Sequence, residues 1–377
     1  MKINRIMIAA PKSGSGKTTI TCALLEKMKE STSKVISFKC GPDYIDPMFH
    51  ERVLGITSRN LDTFFTGEEA TRALFQQNAN GYDLAVMEGV MGLYDGLGGI
   101  RPEGSSYHLA QVTQTPILLV IDAKGMGRSA IALLKGFLDY DTNHLIRGVL
   151  FNRMSKGYYD IIKPLVETEL SIAVVGYLPE NPLCHVPSRH LGLVMPQEVS
   201  DWKEDMRQIA EALCETVSME RILAIAGQAE ELPQIASTCP GSACSSPAEA
   251  DAPVIGVARD EAFCFYYADN IRMLEEAGAK VRYLCSNLCK KCESSGRKEV
   301  RIWRILIVFL KIVHVNIFRV IRDLRILIVC FATVRCITGN IAQGTAIILK
   351  KMGNRLRSAR IVPFRISRRI MILSSSC

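Results

Sequence analysis

The sequence predicts an α/β protein whose core is a parallel sheet with helices packed on both faces. Three observations carry that prediction. An apolar, β-branched run from Ile3 to Ala10 leads through a glycine-rich turn into apolar residues at helical spacing, Leu24, Leu25 and Met28. The same strand signature returns at Val35 to Lys39, Asp83 to Glu88, Ile117 to Asp122, Gly148 to Asn152 and Ala173 to Tyr177, several of them separated by stretches of helical length. Finally, these runs are predominantly apolar and lack a strict polar alternation along their length, as expected of strands buried on both faces. Ligands of such sheets gather at the carboxyl ends of the strands.

Taken in order, residues 1–232 carry this alternation and close with a helical stretch around Asp201 to Thr216. Residues 233–253, "PQIASTCPGSACSSPAEADAP", are small, polar and broken by prolines, so they read as a linker. Residues 254–285 give a strand, a turn, a helix and a second strand, the opening of another α/β unit. Beyond Ser286 the chain turns Ile- and Arg-rich and loses the strand-helix punctuation. Charge divides at the same place: residues 286–377 hold 19 Lys and Arg against 3 Asp and Glu, a net of +16, whereas the first 285 residues hold 27 basic and 35 acidic ones, a net of −8. The 377 residues have room for two or three domains. Thirteen cysteines without a repeated spacing, and no charged-then-apolar leader before the first strand, indicate reduced thiols in a cytoplasmic protein. The longest apolar runs, such as Ile326 to Val334, are about half the length a membrane helix requires, so no membrane partner is expected.

The chemistry sits at the strand ends. "APKSGSGKTT", Ala10 to Thr19, has the composition of a phosphate-binding P-loop, although Pro11 stands where the usual pattern has its first glycine. Gly14 and Gly16 let backbone N–H groups turn toward an anion, Lys17 reaches terminal phosphates, Thr18 offers its hydroxyl to magnesium, and Ser13, Ser15 and Thr19 are expected to bind the nucleotide with them. Lys12 is either a second phosphate-facing lysine, as in partition-type ATPases, or a solvated side chain. The next strand ends in "FKCGPDYIDPMFH", Phe38 to His50. Its acids are expected in a turn fixed by Gly41, Pro42 and Pro47, pointing into the space above the sheet. There Asp46 can hold magnesium through water, Lys39 can meet an anion, and Asp43 and Tyr44 can face a substrate; solvated turn acids are the plainer reading. A third strand ends in "VMEGVMGLYDG", Val86 to Gly96, with Glu88 at its tip, where P-loop proteins keep the carboxylate completing a metal shell, and Asp95 on the loop beyond.

These segments, together with "VIDAKGMGRSA" (Val120 to Ala130), "GVLFNR" (Gly148 to Arg153), "GYLPE" (Gly176 to Glu180) and "RHLGL" (Arg189 to Leu193), resemble the cobyrinic acid a,c-diamide synthase family, which amidates the corrin ring in cobalamin biosynthesis. The resemblance covers about residues 1–285. It implies a P-loop NTPase-like fold of the dethiobiotin synthetase type, followed by an incomplete class I glutaminase-like α/β domain and a tail foreign to the family. It also implies ATP and Mg2+ as cofactors, a corrinoid carboxylate as substrate, and glutamine or free ammonia as nitrogen source. The ring carboxylates at c and then a are phosphorylated by ATP and aminated through acyl phosphates. By position, Thr18, Asp46 and Glu88 would bind magnesium, Asp43, Tyr44, Asp95 and Lys39 would serve catalysis, and Asn152 would read the adenine edge; a strand-capping amide is the alternative for Asn152. A homodimer is compatible with the family, and nucleic acid is not an expected partner. A nickel-containing tetrapyrrole as substrate, or a partition-type ATPase switch, are the competing assignments. The substrate-facing acids of "GPDYIDP" weigh against the switch.

The family draws ammonia from glutamine with a cysteine on a strand-to-helix elbow and a later histidine. No G-x-C-x-G elbow occurs in this sequence, Cys264 sits in a segment that packs in the family, and His314 is the one histidine after His190. The glutaminase triad is therefore expected to be missing, leaving amidation from free ammonia. The spacing of Cys285, Cys289 and Cys292 lacks the second pair that a zinc site needs, and the basic residues among the tail's isoleucines suit a membrane or nucleic-acid surface only weakly. A frameshift near codon 285 explains the abrupt change best, and another reading frame of the coding DNA should then restore the elbow.

Overall fold

The computed structural model describes residues 1–31, 34–181, 199–233, 253–259 and 264–284. Within residues 1–233 seven parallel strands form one sheet: β1 Asn4–Ala9, β2 Val35–Cys40, β3 Ser58–Leu61, β4 Leu84–Glu88, β5 Ile117–Asp122, β6 Ile146–Asn152 and β7 Ala173–Leu178, in the spatial order β3-β2-β4-β1-β5-β6-β7. This is a P-loop NTPase-like sheet, with β1 central and the strand order reversing beside it, so the crevice at its carboxyl end is the natural ligand position.

Alternation along β1 builds both cores at once. Ile6 and Ile8 join the cluster made with α1 (Lys17–Ser31), α7 (Val199–Thr216) and α8 (Met219–Ala226). Met7 and Ala9 join the opposite cluster, made with α3 (Thr63–Ala79), α4 (Ser106–Val112), α5 (Ser129–Tyr140) and α6 (Lys156–Leu170). Because both faces are covered, a strand residue of either parity is dry, and β2 and β4 are buried along their whole length.

Two features of this domain differ from the expectation. β3, "SRNL", is a polar edge strand without an apolar run, and it pairs with β2 from Ser37–Ser58 to Cys40–Leu61. The segment after β2 is not a simple turn: Asp46 lies inside the short helix α2, Ile45–Phe49, which continues as one π-helical turn, His50–Leu54, and stops at Gly55 with φ 70°. Pro47 is accommodated because it stands in the first turn, where its missing N–H costs nothing.

The domain closes on itself. Leu232 N donates to Met1 O at 3.1 Å, and Met1 N donates to Leu232 O at 2.5 Å. Beside this clasp the fully buried Arg5 guanidinium donates to the carbonyls of Ile3, Thr113, Gln114 and Glu230 at 2.5 to 3.1 Å. Residues 253–284 form a small unit in which β8 (Val254–Ala258) and β9 (Lys280–Leu284) pair in parallel through α9 (Ala268–Glu276). Its Asp269 accepts from Asn78 Nδ2 of α3 at 3.0 Å, and Tyr267 Oη donates to Pro42 O at 3.0 Å. The segment Arg189 to Leu193, the linker from residue 234 to 252, and everything from Cys285 onward, including Cys289 and Cys292, lie outside the described residues. Among the described residues no helix is long and apolar enough to cross a membrane.

Candidate active site

Three strand ends meet in the crevice. β1 runs into the glycine-rich loop, whose Gly14 and Gly16 have φ of 76° and 90°. Space around Gly14 is open, whereas a Cβ on Gly16 would stand 2.3 Å from Asn152 Nδ2. That close approach exists because Asn152, at the tip of β6, donates to Ser15 O at 2.9 Å and accepts from Arg153 N at 3.0 Å. Asn152 therefore braces the phosphate loop, and its amide N–H is engaged with backbone. Ser15 Oγ donates to Lys12 O at 3.0 Å, Ser13 is exposed on the loop, and Thr19 lies half-buried in the first turn of α1.

Lys17 is folded over the loop, donating to Met91 O at 2.5 Å and Lys12 O at 3.3 Å. Burial, and then the neighbouring Lys39, lower its pKa to about 8 against the pull of Glu88 and Asp95. Lys12 is 68% exposed and stands 3.8 Å from Asp122, which also holds Arg153 through two hydrogen bonds.

Lys39 is the hub of the acids. In the parallel pair of β2 and β4 it stands directly opposite Glu88, so the register itself brings the two together. Its ammonium is 2.8 Å from Glu88 Oε1, 2.5 Å from Asp46 Oδ2 and 4.0 Å from Asp43 Oδ2. Thr18 Oγ1 donates to the same Glu88 oxygen at 2.6 Å. Thr18, Lys39, Asp46 and Glu88 thus share one buried cluster. Burial raises the Glu88 carboxyl to about 7, with Asp46 adding to the rise and Lys39 opposing it. Burial acts upward on Asp46 too, but Lys39 prevails and holds it below the usual carboxylate range. On Lys39 burial acts downward, yet Glu88 and Asp46 keep its ammonium well above the ordinary value. Asp43 is raised, by burial first and then by Asp46; its Oδ1 accepts from Ile45 N at 2.8 Å in the turn that leads into α2. Asn60 of β3 donates to the carbonyls of Gly41 and Asp43 at 2.9 and 2.6 Å, which fixes the loop that carries these acids.

Asp95 and Tyr44 are placed differently. Asp95 Oδ2 accepts from Gly92 N at 3.0 Å and shapes the loop after β4, close enough to act on Lys17. Tyr44 stacks on Tyr267 with ring centroids 4.4 Å apart and an interplanar angle of 22°, and it also meets Phe265. A cavity of about 110 Å³ beside it is lined by Pro42, Asn60, Phe65 and Tyr267. Sequence reasoning assigned nothing to His50, the last residue of "GPDYIDPMFH", although it lies one helical turn after Asp46. It is fully buried, and burial lowers its pKa to about 4, so the imidazole is neutral.

The donor set of Thr18, Asp46 and Glu88 is hard oxygen, with Glu88 Oε1 beside the Thr18 hydroxyl. These residues fit Mg2+, which takes one or two carboxylates and completes its shell with phosphate oxygens and water. Among the described residues no group of three or more His, Cys, Asp or Glu is placed to hold a metal ion.

Residues 6–194 match the family model described as the CobQ/CobB/MinD/ParA nucleotide binding domain. Curated relatives include the cobyrinate a,c-diamide synthases of Listeria monocytogenes serotype 4b, 38% identical over 284 residues, and of Thermoplasma acidophilum, 38% identical over 284 residues. The corresponding protein of Gloeobacter violaceus is 41% identical over 278 residues. These alignments take in 73 to 75% of this chain and 60 to 62% of each relative, so the chain spans about 60% of the length of the curated relatives it matches.

Proposed function

This chain belongs to the CobQ/CobB/MinD/ParA nucleotide-binding family, and from that membership we propose that it is an ATP-dependent amide ligase acting on carboxylates of cobyrinic acid. The observation that carries the reading is the cluster in which Thr18, Lys39, Asp46 and Glu88 meet beside the Lys17 loop. A carboxylate is a poor electrophile, and bringing one to a triphosphate sets two anions against each other. Lys17 and the N–H groups of the loop offset the phosphate charge. Lys39 is set to steer the incoming carboxylate beside Asp43. A magnesium ion held by Thr18, Asp46 and Glu88 would supply further charge neutralisation at the transferring phosphoryl group.

The reaction has two parts. A carboxylate oxygen of the ring bonds to the γ-phosphorus while the bond to ADP breaks, giving an acyl phosphate. Ammonia then bonds to the acyl carbon, inorganic phosphate leaves, and the nitrogen loses a proton to give the amide. The two side chains react in turn, c before a. Residues 254–285 are read as the opening of a glutaminase-like domain, and the nitrogen enters the second part as ammonia.

The test is ADP formation by the full chain with cobyrinic acid and ammonium, each omitted in turn. Dependence on both supports the ligase, and the same assay with glutamine in place of ammonium tells whether this chain releases ammonia itself. Dependence on ammonium with a nickel-containing tetrapyrrole acid but not with cobyrinic acid would move the substrate to the other ring. Stimulation by DNA or a protein partner without a carboxylic acid would replace the ligase with a partition-type switch.

A further inference from the structure

Behind the acid cluster the chain buries a second polar chain that the proposed chemistry leaves unused. His50 and Glu88 are both fully buried, and each keeps one polar atom without a hydrogen-bond partner: His50 Nε2 and Glu88 Oε2. The two atoms face each other at 3.6 Å. On its other side His50 Nδ1 lies 3.0 Å from Ser37 Oγ and 3.4 Å from Ser58 Oγ, while Ser37 Oγ donates to Ser58 Oγ at 2.7 Å. Ser37 and Ser58 face each other in the β2–β3 register, so the hydroxyl pair is built by the sheet.

A buried polar atom without a partner is costly, and two of them aimed at one another are cheaper as a donor and an acceptor. Pairing the two atoms as donor and acceptor with an ionised Glu88 puts the imidazole hydrogen on Nε2 and leaves Nδ1 to accept from the serine pair. We infer that His50 is the positioning residue for Glu88: with Nε2 facing Oε2 at 3.6 Å and Nδ1 against Ser37 and Ser58, it holds the carboxylate so that Oε1 faces Thr18 and the metal position. The arrangement has the logic of groups behind metal ligands elsewhere, whose removal costs about 10- to 100-fold in metal affinity. It rests on the reading that Thr18, Asp46 and Glu88 hold magnesium with a nucleotide.

The experiment measures ADP binding to the full chain by calorimetry, in Mg2+ and in EDTA, with Mn2+ binding followed by electron paramagnetic resonance. His50→Leu should keep the affinity measured in EDTA within about twofold and lose about 10- to 100-fold of the metal-dependent part. His50→Gln, which returns an N–H near the Nε2 position, should recover most of it. Wild-type metal dependence in His50→Leu overturns the inference. Should His50→Leu fail to fold, His50→Gln against His50→Asn decides: retention in Gln with loss in Asn supports the positioning role, and equal behaviour overturns it. Nitrogen NMR of the metal-free protein gives an independent readout, because the inference requires the Nε2–H tautomer at His50 and the Nδ1–H tautomer would refute it. If the wild-type chain binds no ADP under either condition, the nucleotide reading fails, and the tautomer still judges the placement of His50 on Glu88.

Discussion

Replacing Lys39 by methionine removes the ammonium held between Asp46 and Glu88 and keeps the length of the buried stem. Its contacts are 2.5 Å to Asp46 and 2.8 Å to Glu88. At an effective dielectric constant of about 20 each is worth roughly 6 kcal/mol of gross attraction, and dehydration of the three charges takes back most of the sum. Removing one partner of a buried pair leaves an uncompensated charge and costs about 3–5 kcal/mol net. At about 2–4 °C per kcal/mol for a domain of this size, Lys39→Met should lower the apparent Tm by roughly 6–20 °C at pH 8. The sign of the pH effect follows from Glu88. Its folded pKa of about 7 exceeds the ordinary 4.5, so proton uptake stabilises the fold below 4.5, and that contribution is lost as pH rises through 7. Without Lys39 the carboxyl rises further and stays protonated at pH 6. The deficit should therefore be smaller at pH 6 than at pH 8, and millimolar Mg2+ with ADP should narrow it by supplying another cation. Scanning calorimetry of both proteins at the two pH values checks this. A shift under about 2 °C at pH 8, or a larger deficit at pH 6, would refute the view that Lys39 neutralises the cluster.

Three further outcomes are expected. Gly16→Ala places a methyl 2.3 Å from Asn152 Nδ2 at a φ of 90°, so ADP binding measured by calorimetry should fall at least tenfold, with about 1–3 kcal/mol of lost stability. Lys17 has its pKa lowered to about 8 in the free protein, and an anionic ligand favours its charged form, so ADP affinity should weaken by up to about tenfold per pH unit above 8; in Lys17→Met the slope should vanish. Arg5→Met strands the four carbonyls that its guanidinium serves and should cost about 2–4 kcal/mol in urea unfolding at pH 7, without changing ADP affinity.

The sheet was legible wherever burial on both faces writes an uninterrupted apolar run: β5, Ile117–Asp122, has the bounds its sequence suggests. β3 was not legible, since "SRNL" at the sheet edge is specified by pairing with β2 and by Asn60 holding the neighbouring loop. At the site, the residue types of the phosphate loop and the strand-end acids pointed to one crevice, because parallel topology delivers all strand ends to the same rim. What they could not reveal is who neutralises whom. Lys39 faces Glu88 only through the β2–β4 register. Asp43 shapes the turn into a helix, Asn152 braces a loop, and Tyr44 turns to an aromatic partner more than 200 positions away, Tyr267. His50 gave no signal for a related reason: its importance lies in two strand serines that come near it only after the sheet forms.

The exchange of hydrogen bonds between Met1 and Leu232 has a topological consequence. The polypeptide completes a circuit there, returning to where it set out before any later residue is reached. Every strand of the nucleotide-binding sheet, together with its loop and its acids, lies within that circuit, and Tyr267 and Asp269 reach it from downstream. Both cores are thus supplied by one continuous stretch of chain, and the rim around Tyr44 borrows a side chain from beyond it.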